Sequence, residues 1–256
     1  MKLERGGDGF LEQLRRTDPV VGTWIKTPSP IVCEVLGRTA LDVLVLDAEH
    51  APFGRAELDG CIAIVRALRK PVLVRVPDSS SPNILNALDC GADGILVPHV
   101  MCADDAIRAV FAAHHGPGGR GYAGSTRAAE FGGRKLGEQL THARSQTAVI
   151  AQIEDGEALA EIDAIVRIAG LSAIFVGRVD LTVSLGKTDL EDPIVVDAID
   201  VIVRAARDVG CPVGMFVANL DEIPNWRAKG VTFFVLDSDH MFLQSGARSL
   251  LARFDR

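Results

Sequence analysis

The chain has 256 residues, a formal net charge of −7 and a hydrophobic fraction of 48%, which fits one large domain with a sizeable core. The negative charge and the scattered basic residues argue against nucleic acid as a partner, and no apolar run approaches the ~20 residues of a membrane span. The polar beginning, MKLERGGDGF, lacks the apolar stretch of a secretion signal. We therefore expect a cytoplasmic protein with one domain over residues 1–256.

Eight short runs rich in valine, isoleucine and leucine predict eight β-strands. Such continuous apolar runs are typical of parallel strands that are buried on both faces of the sheet. The predicted strands cover residues 20–25, 42–46, 72–76, 94–97, 148–153, 173–176, 213–217 and 232–236.

Helical segments alternate with these strands. The predicted helices cover residues 29–36, 55–69, 81–90, 103–114, 156–168, 193–209, 220–229 and 239–254. Eight strand and helix units favour closure into a single (β/α)8 (TIM) barrel over an open sheet. The stretch 115–147 contains GPGGRGYAG and one predicted helical turn near 134–143. It is predicted to be an insertion that forms a lid or a binding wall.

The five cysteines are odd in number and contain no C-x-x-C pair. Neither a disulfide framework nor a thiolate zinc site is therefore indicated. We expect small, buried apolar groups at Cys33, Cys61, Cys90, Cys102 and Cys211.

Two carboxylates follow neighbouring predicted strands. Glu154 closes the run VIAQIE and Asp180 follows IFVGRV, so a barrel would bring both acids to one mouth. Carboxylate ligands without cysteine suit a hard divalent ion such as Mg2+ or Mn2+. The alternative is that each acid is an exposed loop residue.

Asp47 and His50 lie in the segment LVLDAEH after the second strand. A carboxylate that orients an imidazole gives a base suited to proton transfer near neutral pH, so we predict a dyad in which Glu49 points away. The alternative is that His50 caps the next helix or fills a loop. His99 could titrate in the mouth, but a loop histidine is the favoured prediction.

Arg75 ends the third predicted strand, where a buried cation needs an anionic partner. Its planar fork suits a carboxylate or an enolate oxygen, and the alternative is a structural salt bridge to Asp47 or Glu154. Gln152 shares its strand face with Glu154 and could donate to the same ligand. Trp24 could line a ligand pocket or serve in the core.

These segments resemble the HpcH/HpaI family of metal-dependent (class II) pyruvate aldolases. The matching blocks run in order from about residue 22 to residue 186. They are GTWIKTPSPIVCEVLG, LDVLVLDAEHAPF, PVLVRVP, ALDCGADGILVPHV, GPGGRGY, IAQIED and VGRVDLTVSLG.

The resemblance implies reversible cleavage of a 4-hydroxy-2-oxo acid into pyruvate, or a close analogue, and an aldehyde. It implies a divalent metal cofactor, Mg2+, Mn2+ or Co2+, with Glu154 and Asp180 as ligands. His50 with Asp47 would handle protons, and Arg75 would stabilise the enolate.

The resemblance also assigns substrate contacts and an assembly. Trp24 and Gln152 match residues that line the pyruvate pocket, and Asp89 matches an acid that reaches a neighbouring subunit's site. A homo-oligomer, trimer or hexamer, with exchanged last helices is implied.

The chain departs from the family pattern at two places. The family usually reads G-P-x-D where this chain has Gly177, Arg178, Val179 and Asp180, in a loop whose backbone amides bind the substrate carboxylate. Gly116 stands where proline is common, so we expect a looser lid.

Three other functions stay open. A Schiff-base aldolase would use Lys26, which follows Trp24 by two residues and could face inward. A related acyl-CoA lyase would need a basic surface for the CoA phosphates, and no basic cluster is evident. A non-catalytic barrel that binds a 2-oxo acid is disfavoured by the set of acid, base and cation.

Overall fold

The computed structural model describes residues 9–16 and 18–254, and its centre is a closed barrel of eight parallel strands. The strands pair in chain order, and β8 pairs with β1 to close the barrel, which confirms the predicted (β/α)8 fold. The strands are β1 (Val20–Ile25), β2 (Val43–Asp47), β3 (Val72–Arg75), β4 (Gly94–Val97), β5 (Ala148–Ile153), β6 (Ala173–Val176), β7 (Val213–Val217) and β8 (Phe233–Ser238).

Helices surround the strands. They are α1 (Phe10–Leu14), α2 (Pro30–Gly37), α3 (Arg55–Ala67), α4 (Ser81–Asp89), α5 (Ala103–Ala113), α6 (Leu136–Gln146), α7 (Ile162–Ile165), α8 (Arg178–Ser184), α9 (Pro193–Asp208), α10 (Ile223–Lys229) and α11 (Asp239–Leu251). Short 3-10 helices cover Arg127–Gly132, Gly156–Ala160 and Leu220–Glu222. Across the described residues, every helix is too short or too polar to cross a bilayer.

The helices of the structure differ from the predicted ones in three ways. The helix expected over 156–168 is broken at Glu161, whose backbone (φ −117°, ψ 8°) is not helical. The insertion contains the full helix α6 where one turn was predicted. The short helices α1 and α8 were not predicted at all.

The core has two layers, one inside the barrel and one between strands and helices. Successive side chains of a strand point to opposite faces, so Val45, Leu73 and Ile150 fill the interior. Two residues later on each of these strands come Asp47, Arg75 and Gln152. The interior face of the barrel is therefore apolar in its middle and polar at the carboxyl ends of its strands.

All five cysteines are free thiols. Cys33, Cys61 and Cys90 are buried, as predicted, whereas Cys102 and Cys211 are only partly buried.

Candidate metal and substrate site

Asp47 organises one side of the barrel mouth. Its carboxylate accepts two hydrogen bonds from Arg75, Nε to Oδ1 at 2.9 Å and Nη2 to Oδ2 at 2.8 Å. The Lys26 ammonium lies 2.9 Å from Oδ2. Burial alone would raise the pKa of Asp47, but Arg75 and Lys26 outweigh it and lower this pKa to about 2. Asp47 is therefore a fixed anion that orients two cations.

Arg75 is also held by an aromatic ring. Its guanidinium carbon lies 4.2 Å from the centre of the Trp24 ring, and Trp24 packs edge-on against Phe175 with ring centres 5.9 Å apart. Trp24 is buried, so it forms core contacts and a cation–π support at once. The predicted salt bridge between Arg75 and Asp47 is therefore present. It is compatible with a catalytic role for the same guanidinium.

Glu154 is the most enclosed acid on the other side of the mouth, with 2% of its side chain exposed. Its Oε1 accepts a hydrogen bond from the backbone N–H of His99 at 2.9 Å, and its Oε2 accepts one from Gln152 Nε2. Burial raises the pKa of Glu154 against the opposing effect of these donors. Gln152 keeps a buried Oε1 without a hydrogen-bond partner, which leaves an acceptor for a ligand.

Glu49 faces the mouth, so the prediction that it points away was wrong. Its Oε2 lies 3.2 Å from Arg75 Nε, and its Oε1 lies 3.6 Å from His99 Nε2. Burial raises the pKa of Glu49, and the charges of Asp47 and Asp180 raise it further against Arg75 and His99. Glu49 lies in the turn after β2, so the alternation of side chains along a strand does not fix its direction.

His99 lies in the loop after β4, as the favoured prediction had it, and its ring reaches the acids of the mouth. Its ring Nδ1 is 3.0 Å from Asp155 Oδ2 and 3.5 Å from Glu154 Oε1. Burial tends to lower the pKa of His99, but Asp155, Glu154 and Glu49 together raise it. His99 has φ +53°, a left-handed conformation uncommon outside glycine, and sequence patterns do not reveal such a turn.

His50 stands at the edge of the mouth with about half of its side chain (53%) exposed. Its backbone N–H donates to Asp47 Oδ1 at 3.2 Å, while its ring Nε2 lies 3.8 Å from Glu49 Oε2. The predicted contact between Asp47 and His50 therefore exists through the main chain. The carboxylate nearest the imidazole is that of Glu49.

A cation fits this cluster. Ligand atoms of Glu49, His99 and Glu154 all lie within 4.8 Å of one another, and Glu49 Oε2 is buried without a hydrogen-bond partner. Two buried carboxylates whose pKa values are raised by their surroundings gain from a divalent ion between them. Oxygen-rich donors with one imidazole suit a hard or borderline divalent metal.

Asp180 lies beside this cluster, exposed on the first turn of α8. It is outside the group of ligand atoms within 4.8 Å, although its charge acts on Glu49. Just before it, Gly177 packs so closely on Glu154 that an added Cβ would lie 2.6 Å from the Cβ of Glu154. The start of α8 therefore borders the candidate metal site.

Arg178, which replaces the usual proline, is buried at the start of α8. Its guanidinium forms ion pairs with Glu191 and Glu222 and lies 5.4 Å from the centre of the Trp226 ring. These contacts join the loop after β6 to the segments before α9 and α10. Arg178 thus holds the start of α8 through two ion pairs.

Two expected substrate contacts lie at the border of the site or outside it. Val179 is 50% exposed on the first turn of α8. Asp89 ends α4, where its carboxylate is 3.9 Å from Arg120 Nε. Its electrostatic neighbours are Arg120, His115 and Arg55, not the acids of the mouth.

A cavity of about 940 Å³ lies at the opposite end of the barrel. It is lined by residues that precede strands, among them Thr147, Ser172 and Thr232. In barrel enzymes the chemistry takes place at the carboxyl ends of the strands. The volume of this cavity therefore does not identify the active site.

Comparisons with known proteins agree with this placement. A family model described as HpcH/HpaI aldolase/citrate lyase matches residues 21–245. A hydroxypyruvate/pyruvate aldolase from Paraburkholderia phytofirmans is 32% identical over 247 residues, which cover 93% of this chain and 94% of that protein. A 4-hydroxy-2-oxovalerate aldolase from Rhodococcus jostii is 30% identical and covers 96% of both proteins.

A solved structure agrees as well. The crystal structure of an HpcH/HpaI aldolase/citrate lyase family protein from Burkholderia cenocepacia J2315 has a TM-score of 0.89 at 30% identity, covering 95% of this chain and 97% of that one. Together with the named aldolases, it confirms the carbon–carbon lyase class expected from the sequence. The chain belongs to the HpcH/HpaI aldolase/citrate lyase family.

Proposed function

We propose that the protein is a divalent-metal-dependent aldolase that reversibly cleaves a 4-hydroxy-2-oxo acid into pyruvate, or a close analogue, and an aldehyde. The observation that carries this proposal is the meeting of Glu49, His99 and Glu154 ligand atoms within 4.8 Å, next to the guanidinium of Arg75. The aldolases among the relatives support the reaction class.

Glu154 and Asp180 are the proposed metal ligands, and Mg2+, Mn2+ and Co2+ are the candidate ions. A cation held there would supply a Lewis acid for the negative charge that develops on the substrate. Glu154 is suited to this role because it is preoriented by the His99 N–H and by Gln152.

Arg75 stabilises the enolate oxygen that develops when the carbon–carbon bond breaks. Asp47 engages Nε and Nη2, and the remaining N–H groups of the guanidinium are available to a substrate oxygen. Because Asp47 and Trp24 hold the guanidinium in place, the donors need no reorganisation as the charge appears.

His50 moves the proton of the substrate hydroxyl, since its half-exposed imidazole is beside Glu49 at the edge of the mouth. Asp47 contributes through the backbone N–H of His50 and through Arg75. Trp24 and the free Oε1 of Gln152 border the pyruvate position. The backbone N–H groups of Val179 and Asp180, in the first turn of α8, bind the substrate carboxylate.

A homo-oligomer, trimer or hexamer, completes the proposed enzyme. The support is the outer surface of α11, on which Leu243 and Leu250 are each about two-thirds exposed (67% and 69%), as is Phe254 just after the helix (69%). In the assembly α11 packs on a neighbouring subunit, and Asp89 contributes to that subunit's site.

The Schiff-base alternative is weakened by the ion pair of Lys26. A Schiff-base lysine must present its amine to the substrate carbonyl, whereas Lys26 Nζ is engaged by Asp47 Oδ2 at 2.9 Å.

The test is a panel of aldehydes incubated with pyruvate and Mg2+, Mn2+ or Co2+, scored for new 4-hydroxy-2-oxo acids. We expect product with metal, none with a chelator, and no borohydride-trapped adduct. Turnover that persists in chelator, together with a trapped adduct on Lys26, would overturn the metal mechanism.

A further inference from the structure

We propose that the cavity of about 940 Å³ at the amino ends of the barrel strands is a second binding site, which takes a phosphorylated small organic molecule. Residues of its wall directly precede β5, β6 and β8, so the cavity lies at the opposite end of the barrel from the mouth. The inference does not rest on the proposed aldolase activity, since the wall of the cavity and the described residues of the mouth are different sets.

The wall of this cavity carries positive charge. Arg15, Arg144 and Arg207 line it, and the described part of the wall contains no aspartate or glutamate. Among the described residues, the ion pairs and side-chain hydrogen bonds include none of these three guanidinium groups. In a chain with a net charge of −7, three unpaired cations around one cavity indicate an anionic ligand.

The helix ends near the cavity do not neutralise this charge. Arg144 and Arg207 lie in the last turns of α6 and α9, and Arg15 is the residue that follows α1. The carboxyl end of a helix carries roughly half of an elementary negative charge, whereas each guanidinium carries a full positive charge. The helix ends therefore favour arginine at these positions and still leave the cavity positive.

Two polar side chains of the wall keep unused hydrogen-bonding atoms. His114 Nδ1 and Thr232 Oγ1 are buried without a hydrogen-bond partner, which is uncommon in native proteins. Burial lowers the pKa of His114, and the charges of Arg120, Arg144 and His115 lower it further. The imidazole is therefore held neutral by positive surroundings, as expected beside a site for an anion.

The donors of the wall suit a phosphate group. A guanidinium donates two parallel N–H bonds to phosphate oxygens, and a phosphate dianion has enough charge to bind more than one guanidinium. A hydroxyl group adds a further donor. Ser172 Oγ accepts the backbone N–H of Val149 at 3.1 Å, so its own proton is available to a ligand oxygen.

The apolar part of the wall indicates that the ligand also has an organic group. Leu14, Val166 and Leu171 line the cavity beside the arginines. Pockets that take small organic molecules enclose about 300 to 1,000 Å³, and the cavity volume of about 940 Å³ is within that range. A phosphate ester uses both the charged and the apolar side chains, whereas inorganic phosphate uses the charged ones alone.

The first test is titration calorimetry of the full chain in EDTA, with phenyl phosphate as the probe. EDTA removes any divalent cation through which a phosphate could bind at the mouth. We expect phenyl phosphate to bind about tenfold more tightly than inorganic phosphate, because its ring buries apolar surface. Benzyl alcohol, which lacks the charge, should not bind. Equal affinities for the two phosphates would overturn the assignment to a phosphorylated organic molecule.

The second test locates the binding site with Arg144→Gln and Arg207→Gln. Each substitution removes one charged donor and should weaken phenyl phosphate binding by about tenfold. Both arginines are exposed, so urea denaturation should show wild-type stability. Arg204→Gln, at an exposed arginine of α9 outside the cavity wall, is the matched control and should bind phenyl phosphate as the wild type does.

The third test separates the cavity from the mouth with Arg75→Lys. This variant should keep the wild-type affinity for phenyl phosphate in EDTA, because Arg75 lies at the other end of the barrel. Three results would each overturn the proposal. They are no binding to the wild type, wild-type affinity in both Arg144→Gln and Arg207→Gln, and loss of binding in Arg75→Lys.

Discussion

The contacts around Arg75 restrict which side chain can work at this position of the mouth. Asp47 binds two of its nitrogens, Trp24 lies under its guanidinium, and Glu49 is 3.2 Å from Nε. Such contacts specify the planar fork as well as the charge, because an ammonium group cannot satisfy two carboxylate oxygens and a substrate oxygen in one plane.

We therefore predict that Arg75→Lys lowers kcat/KM for retro-aldol cleavage by about 100-fold or more, as expected for removal of a preorganised oxyanion donor. Metal affinity should stay close to that of the wild type. Arg38→Lys, on an exposed arginine paired with Glu34 on α2, is the matched control and should leave the steady-state kinetics unchanged. Wild-type turnover in Arg75→Lys would show that Arg75 does not stabilise the enolate oxygen.

Sequence periodicity could place some residues of the site but not all. The interior positions of Asp47, Arg75 and Gln152 follow from strand alternation. Glu49 could not be assigned by this rule, because β2 ends at Asp47 and Glu49 lies in the following turn. The orientation of His99 could not, because it depends on a left-handed backbone turn that no local pattern encodes.

At the scale of elements, α8 is positioned by Arg178. This side chain is 6% exposed, yet its partner Glu191 is 70% exposed. The guanidinium therefore links the buried start of α8 to the protein surface. Because Asp180 is two residues away, the position of this carboxylate depends on those ion pairs.

Arg178→Met should destabilise the protein by about 1 to 3 kcal/mol, the range for losing hydrogen bonds to a charged group, and should raise the KM for pyruvate more than it lowers kcat. Arg204→Met, at an exposed arginine of α9, is the control and should change the free energy of unfolding by less than about 0.5 kcal/mol. Urea denaturation and steady-state kinetics measure both effects. An unchanged KM in Arg178→Met would show that α8 is held without it.

The start of α5, which follows the His99 turn, is fixed by Asp105. Its Oδ2 accepts the backbone N–H groups of Met101 at 3.0 Å and Cys102 at 3.1 Å. Burial would raise the pKa of Asp105, but these bonds, the Cys102 thiol and Arg108 outweigh it and lower the pKa. A carboxylate with a lowered native pKa stabilises the fold above its ordinary pKa, and this stabilisation is lost as pH falls through the native value.

Asp105→Ala should therefore destabilise the protein by about 1 to 2 kcal/mol at pH 7, and this difference from the wild type should shrink as pH falls below the ordinary aspartate pKa of about 3.9 toward the lowered native value. Asp104→Ala, at the exposed acid next to it, should have a smaller effect. Urea denaturation over this pH range measures the difference. A difference that does not depend on pH would contradict the role of the ionised carboxylate.

Strands were predicted closely because each is a continuous apolar run, and their observed ends lie within two residues of the predicted ones. Helices with a clear apolar face, such as α9, were predicted equally well. Apart from α6, of which only one turn was predicted, the failures are short elements. Helix α8 has seven residues and α7 has four, lengths at which tertiary contacts decide the structure and local propensity does not.

At the scale of the whole molecule, one chain forms the complete barrel, but apolar side chains of α11 remain exposed to solvent. Leu243, Ala247 and Leu250 recur at helical spacing on α11. Leu243 and Leu250 are well exposed, as is Phe254 just after the helix. An apolar stripe of this kind indicates an interface, which agrees with the proposed oligomer.

Leu250→Glu should therefore shift the particle mass measured by light scattering from a trimer or hexamer toward smaller species. Ser245→Glu, off the apolar stripe of the same helix, should leave the mass unchanged. A monomeric wild type, or a mass that Leu250→Glu does not alter, would contradict the proposed assembly.

The chemistry proposed for the mouth residues is formation of an enolate from pyruvate with the help of a bound cation. Proton–deuterium exchange at the methyl group of pyruvate, followed by NMR in D2O, measures that step without an aldehyde. We predict exchange with Mg2+ that stops on addition of a chelator and falls by about 100-fold or more in Glu154→Gln, which loses the charge and keeps the shape. Exchange that continues in chelator, or that Glu154→Gln leaves intact, would contradict the account.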